Sequence, residues 1–465
     1  MNRLFASSVV IALSLAAVSI RAQTLTPVIL KRQLSSGLRV WIVEQHELPV
    51  VQMSLLVLSG TDADPRGRYG VASLTSAMLT EGAGSRSAVE IADALDSLLA
   101  NLSASSGVDS SSLQLYVPAG RLAEALPLMA DVSQRPTFPK QEVEALRQQR
   151  LVALRHARGE PDAIAALAFA RGIYGPSHRS AAPLIGTTDG INALTPEALR
   201  AFHESAYRPA NSTLIVVGDV VADRVLPLLE THFGKWSPPS VNGVVNEPAP
   251  AFPRLPRQLM LVDMPDAPQS RILIGSVGAS SSMSDFFPIQ VLNTVVSGRL
   301  NADRNPTLRN YTAGVRSGFD MRKSATPFVV STAAQADKTG ETLSVLVDEL
   351  TGIAKGVSAD ELARAKDDIA VNFPKTFEST GRISSRLRAL ESLVVYGLPD
   401  DHYANYVAAI RKVGSLDVQR VAQQYIHPDR LTIAVVGDRK RIEPSLRALN
   451  LGSIRVVSID ELFAP

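Results

Sequence analysis

An α/β fold made of two similar domains, each a mostly antiparallel sheet covered by helices, is what this sequence predicts, on three observations. The chain has 465 residues, about three usual domain lengths, so a single compact core is not expected to hold it. Laid over itself at a displacement of 219 residues, Thr213-Leu-Ile-Val-Val-Gly-Asp219 falls on Thr432-Ile-Ala-Val-Val-Gly-Asp438, identical at five of seven positions, and Val40-Trp-Ile-Val43 falls on Leu259-Met-Leu-Val262. Between the copies, Ser237-Pro-Pro-Ser-Val-Asn-Gly243 is followed by Pro248, Pro250, Pro253 and Pro256, a stretch where proline blocks helix and central strand alike. Duplicated domains at 23–236 and 258–465, joined by an extended linker at 237–257, are expected.

The elements follow in order. Residues 1–22 begin with a positive charge at Arg3, continue as a mostly apolar run from Leu4 to Ile20, and end on the small Ala22 before Gln23. That is the layout of a cleaved secretory signal, and the run is shorter than the roughly 20 residues a helix needs to span hydrocarbon. In each copy the first strand leads into a second apolar run, Met53 to Leu58 and Ile272 to Val277. Ser87 with Glu90 three residues on makes a reciprocal helix cap, followed by an apolar stripe of Ile91, Leu95, Leu98 and Leu99. Thr195 before Pro196 caps another helix, with Leu199 and Phe202 on one face ahead of the strand Thr213 to Val217. Strands interrupted by paired helices argue for layers of sheet and helix rather than a simple alternating parallel sheet.

Composition narrows function. Apolar residues are 45% and charged residues 20%, which suits a folded chain and excludes general disorder. Lys plus Arg number 47 against 45 Asp plus Glu, and loss of Arg3 and Arg21 with the leader equalises them. A chain near zero net charge is a poor partner for polyphosphate, so no nucleic acid is expected. With no cysteine, disulfides and thiolate chemistry are excluded, and the leader then points to a bacterial periplasm, with no membrane span after signal cleavage. Gly-x-Ser-x-Gly, phosphate-loop and dinucleotide patterns are absent from the sequence.

The order of segments resembles the pitrilysin/insulinase family of metallopeptidases over nearly all of the mature chain. The resemblance rests on Leu38-Arg-Val-Trp-Ile-Val43, Gly70-Val-Ala-Ser-Leu-Thr-Ser-Ala-Met-Leu79, Gly186-Thr-Thr188 with Leu194-Thr-Pro-Glu-Ala-Leu-Arg-Ala-Phe-His203, Tyr207-Arg-Pro209, Ser297-Gly-Arg-Leu-Asn301 and Tyr311-Thr-Ala-Gly-Val315. It implies two bowl-like domains forming one half of a clamshell.

In active relatives the helix entered at the position of Gly70 carries an inverted His-x-x-Glu-His motif, whose imidazoles bind zinc and whose Glu takes a proton from the bound water. Here those positions are Ser73, Ser76 and Ala77, and the family's further Glu ligand falls at Ala153, between Val152 and Leu154. Neutral hydroxyls and methyl groups do not match zinc. No catalytic or metal-binding residue and no cofactor are therefore expected. The ordinary reading of this helix is a packing one, with Val71, Leu74 and Met78 facing the core and Gly82 as its stop. The seven His, at 46, 156, 178, 203, 232, 402 and 427, include no pair one helical turn apart. Each reads as a surface or cap residue, and His203 with Glu204 lacks a second His.

The resemblance also implies an Arg and a Tyr on the second half that grip a substrate carbonyl. The Tyr position is Ala313 and the Arg position Asn305 or Pro306, with Arg304, Arg309 and Tyr311 as neighbours that a local shift brings into play or that are plain loop residues. An edge strand that pairs with extended substrate corresponds to Leu102-Ser-Ala-Ser-Ser106. Main-chain pairing needs no special side chain, although a Ser-rich margin also serves simply to keep a sheet edge soluble. The expected peptide-contacting residues are thus Ser103, Ala104, Ser105, Arg309 and Tyr311. The function expected is that of a catalytically silent subunit that pairs with a zinc-bearing paralogous peptidase and helps enclose peptide or unfolded polypeptide. The alternatives are a stand-alone periplasmic peptide-binding or scaffold protein and, last, an active peptidase with displaced ligands.

Overall fold

The computed structural model describes residues 28–176, 178–237, 256–278, 284–301, 303–324, 327–377 and 382–464. The expected leader, 1–22, and nearly all of the expected linker lie outside the described residues. The first half supplies β1 (Leu30–Gln33), β2 (Arg39–Glu44), β3 (Val50–Val57), the short pair β4 (Gly82–Ala83) and β5 (Arg86–Ser87), β6 (Asn101–Ser106), β7 (Ser111–Pro118) and β8 (Ser212–Gly218). The second half supplies β9 (Gln258–Asp263), β10 (Gln269–Val277), β11 (Thr312–Phe319), β12 (Pro327–Gln335), β13 (Thr432–Gly437) and β14 (Ser453–Val457).

These strands make two six-stranded sheets, ordered β1-β2-β8-β3-β7-β6 and β14-β9-β13-β10-β12-β11. From β2 and β9 onward the two orders coincide, and β2 displaced by 219 residues lands on β9. In each sheet one central pair is parallel, β2 with β8 and β9 with β13, while β3 and β10 run antiparallel to both their neighbours. The sheets differ at one margin: β1 closes the first by pairing antiparallel to β2, whereas β14, from the end of the chain, closes the second parallel to β9. β8 and β13 are buried along their whole length. A strand covered on both faces has no solvent side, which is why Thr-Leu-Ile-Val-Val reads as a continuous apolar run rather than an alternating one.

One face of the first sheet packs on its own helices, including Val71–Met78, Leu122–Gln134 and Ala222–Phe233. The other face is covered by the helix Arg382–Tyr396 of the second half, whose Ile383, Leu387, Leu390 and Leu393 lie on Val43, Leu56, Ile215 and Val217. The exchange is reciprocal. Helix Pro161–Tyr174 of the first half lays Ile164, Ala165, Ala168 and Ile173 on Met260, Val262, Ala434 and Val436 of the second sheet. At about 1.5–3 kcal/mol for each large apolar side chain fully buried, either helix contributes substantially to the other half's stability. Approach is close: a Cβ on Gly172 would sit 2.6 Å from Thr432 Cγ2 and 2.8 Å from Met260 Sδ. A polar seam accompanies the apolar contact. Ser54 Oγ and Gln114 Nε2 donate to Glu391 Oε1 at 2.6 and 3.1 Å, Ser384 Oγ donates to Gln52 Oε1 at 2.8 Å, and Arg386 Nη1 donates to Gln45 Oε1 at 2.7 Å.

Local expectations meet the structure unevenly. Ser87 and Glu90 form the reciprocal cap, and Thr195 Oγ1 accepts from the amide of Ala198 at 3.2 Å. Leu99 departs from its expected place in the stripe: the helix ends at Ser97, and Leu99 follows at φ 53°, 78% exposed. The backbone leaves the helical path between the two leucines, so Leu98 stays on the core side and Leu99 is turned out to solvent. Gly82 is not the helix stop either. It lies in β4 at φ 148°, where a Cβ would meet Thr137 Oγ1 at 2.6 Å.

Candidate functional site

The helix Val71–Met78 begins at Gly70, whose φ of 103° and whose approach to Ile185 O, 2.7 Å from any added Cβ, leave no room for a side chain. Asp64 fixes this entry by accepting from the amides of Gly70 at 2.6 Å and Ala72 at 2.9 Å. Burial pushes its carboxyl up to about 7, against the lowering effect of those two amides and of Arg150 and Arg179 nearby. This buried acid was missed in the sequence reading. Its signal is an acidic residue shortly before a glycine-led helix, a pattern too common to single out alone.

Val71, Leu74 and Met78 are buried, as their spacing requires. Ser73 and Ala77, one turn apart, form a half-buried stripe, and Ala153 is exposed on helix Lys140–Ala157. Ser76 turns inward instead: it is 1% exposed, and its hydroxyl lies 3.0 Å from that of Tyr207. A zinc ion finds no match here, since two of the four positions carry methyl groups and the only hydroxyl with a described bond is committed to Tyr207 in the core. Among the described residues, no three His, Asp or Glu side chains are grouped so as to hold a metal ion.

Histidines are more buried than the sequence suggested: His178, His203 and His402 all lie inside. His203 Nε2 donates to the carbonyl of Ser133 at 2.9 Å, and its ring stacks on Tyr207 with centroids 4.7 Å apart. Burial pulls its pKa down to about 4, so it is a neutral packing group at pH 7.

Ser103, Ala104 and Ser105 fall in β6, the margin of the first sheet, opposite Gln114, Leu113 and Ser112 of β7. No described strand pairs with the outer side of β6, and Ser103 and Ser105 are exposed. An edge strand keeps alternate backbone N–H and C=O groups directed outward. Helix Val71–Met78, which carries Ser73 and Ala77, packs against this margin strand. Arg309 and Tyr311 are elsewhere. They belong to helix Pro306–Tyr311, which runs straight into β11, the matching margin of the second sheet. Arg309 Nη2 donates to the carbonyl of Asp303, and the Lys338 ammonium sits 5.2 Å above the Tyr311 ring. Arg304 lies beside Gly298. The five expected peptide-contacting residues therefore occupy two corresponding sheet margins rather than one cluster.

The two margins meet at their turns, where the amide of Lys323 donates to Asp109 Oδ2 at 3.1 Å. Burial raises the Asp109 carboxyl. Beside this contact is a cavity of about 90 Å³ lined by Thr61, Asp62, Val108, Arg179 and Arg322 among others.

A chain of two helix-covered sheets, with an open sheet margin beside a helix stripped of metal ligands, defines a peptidase-like fold without its metal-binding residues. The profile described as Insulinase (Peptidase family M16) matches residues 39–176, and that described as Peptidase M16 inactive domain matches residues 193–369. The chain belongs to the pitrilysin/insulinase family, peptidase family M16. It is 24% identical over 438 residues to an uncharacterized zinc protease of Mycobacterium leprae, covering 90% of this chain and 94% of that one. To a non-peptidase homologue of Helicobacter pylori it is 22% identical, covering 86% and 91%. A crystal structure titled as a peptidase M16 inactive domain from Pseudomonas fluorescens shares the fold at TM-score 0.77 and 23% identity, covering 88% of this chain and 98% of that one. Within the family this chain is a peptidase-like member in which Ser73, Ser76, Ala77 and Ala153 stand where the resemblance puts the metal ligands and the base.

Proposed function

We propose that this chain is the silent half of a two-subunit peptidase, exported to a bacterial periplasm, which pairs with a zinc-bearing paralogue and holds peptide substrate along β6. The observation that carries the reading is the margin of β6, with which no described strand pairs on its outer side, packed against a helix that lacks every ligand. Peptide held by main-chain hydrogen bonds needs no particular side chain, so binding can persist where the metal chemistry has gone. Hydrolysis then belongs to the partner, whose His-x-x-Glu-His helix supplies zinc and base. The resemblance of the Helicobacter pylori relative described as a non-peptidase homologue supports the silent role. Among the described residues no helix is long and apolar enough to cross a membrane.

The test is reconstitution. The chain alone, supplied with zinc and an unstructured peptide, is expected to cleave nothing, and an equimolar mixture with a His-x-x-Glu-His homologue from the same organism is expected to cleave it. A peptide N-methylated at alternate residues should bind at least about ten-fold more weakly than its parent, because several backbone bonds at about 1 kcal/mol each are removed. Cleavage by the isolated chain, or equal affinity for the methylated peptide, would defeat the proposal. Tight peptide binding with no partner requirement would favour the stand-alone binding protein.

A further inference from the structure

Helices Phe286–Arg299 and Ala359–Asn372 are the second half's counterparts of Val71–Met78 and Lys140–Ala157, related by the same 219-residue displacement. Between them lies a cavity of about 120 Å³, lined by Thr294, Gly298, Arg299, Arg304, Glu361, Arg364 and Asp368 among others. Its charges are unevenly used. Arg299 and Glu361 neutralise each other through a two-pronged contact, Nε to Oε1 at 2.6 Å and Nη2 to Oε2 at 3.1 Å. Arg304 and Arg364 have no described side-chain partner; both are exposed and both line the cavity. The Arg304 guanidinium lies against the helix at Gly298, where an added Cβ would come 3.3 Å from its Nη1. Against these two free guanidinium groups the cavity offers one further carboxylate, Asp368.

We infer that this cavity is a binding site for one small oxyanion, a phosphate or a carboxylate group. Each guanidinium presents a planar fork of donors matched to such oxygens, and two of them in the lining of one cavity can make charge-assisted bonds to a single anion. The volume takes a single oxyanion with a few waters and is too small for a nucleotide or a folded partner. Asp368 in the lining sets a preference within the class: it repels a fully ionised group and accepts a hydrogen bond from a protonated oxygen, so monoprotonated phosphate is favoured over acetate or sulfate. The inference is independent of whether β6 binds peptide.

Titration calorimetry on the full chain at pH 7 tests it, with inorganic phosphate, sulfate and acetate in separate arms. Phosphate is expected to saturate one site per chain. Arg304→Gln and Arg364→Gln should each weaken it by about ten-fold or more, the loss of one charge-assisted bond. Arg121→Gln, which removes a surface pair with Glu124, should leave it unchanged. Stronger binding of acetate or sulfate than of phosphate would keep an oxyanion site but overturn the preference assigned to Asp368. The inference fails if none of the three anions gives saturable binding, or if both cavity variants bind as the parent does. Because neither side chain has a described structural partner, melting temperatures equal to the parent's are expected to accompany the lost binding.

Discussion

The hydroxyl of Ser76 lies 3.0 Å from that of Tyr207, inside the first domain and out of reach of solvent. Ser76 stands at the position where an active relative carries its general base, and here that position serves the core. Tyr207 is itself fully buried, bonds Ser111 as well, and carries a phenol pushed upward by burial. The Ser76 hydroxyl thus makes a structural bond between elements 131 residues apart.

Ser76→Ala is expected to cost about 1 kcal/mol in urea denaturation, since Tyr207 keeps Ser111 as a partner. Ser76→Glu should cost more, at least about 2 kcal/mol, because it buries a carboxylate with no cation or metal beside it. A Ser76→Glu protein as stable as its parent would contradict the inward placement.

Two buried groups give opposite pH dependences. His203 titrates at about 4 when folded against an ordinary 6.5. As pH falls from about 6.5 to 4 the unfolded chain gains a proton that the folded chain refuses, and up to about 3 kcal/mol of stability is lost. Asp64 titrates at about 7 against 3.8. Its contribution is fully present below pH 4 and declines as pH rises towards 7. Stability measured against pH should lose the first slope in His203→Phe and the second in Asp64→Asn.

Gly172→Ala places a methyl group 2.6 Å from Thr432 Cγ2. Overpacking of this kind costs about 1–3 kcal/mol. Hydrogen exchange should show faster opening in β9 and β13, although the substitution lies in the first half of the chain. Protection confined to a loss in the helix alone would mean that the contact between halves is weak.

Glu391→Leu removes the acceptor shared by Ser54 and Gln114. Burial raises this carboxyl, and leaving two donors unmatched is expected to cost about 1–3 kcal/mol. Glu391→Gln keeps an acceptor and should cost less. Thermal unfolding of the two variants orders them.

The sheets were legible because buried strands carry their own signature: Val40 to Val43, Thr213 to Val217 and their partners at Leu259 and Thr432 are apolar runs that suit little else. The Ser-rich margin β6 was legible through the resemblance, since Asn-Leu-Ser-Ala-Ser-Ser carries almost no pattern. The exchanged helices were not. Ile164, Ala165, Leu167, Ala168, Phe169 and Ile173 mark a buried helix, yet an apolar face says nothing about which sheet it covers. His203 illustrates the same limit. Its burial depends on Ser133, Phe138 and Tyr207, and no local window contains all of them. The β14 margin was missed for a related reason: Ser-Ile-Arg-Val-Val becomes a strand only by lying parallel to β9.

The traded helices also decide what happens when the chain is cut. Each half donates one long apolar rod to the opposite sheet, so a protease that nicks residues 238–255 would release nothing: the two fragments would remain clasped, and either one produced alone would present a bare sheet face to water. Expression of a single half should yield insoluble material, and co-expression of the two as separate polypeptides should yield a stable, unlinked pair.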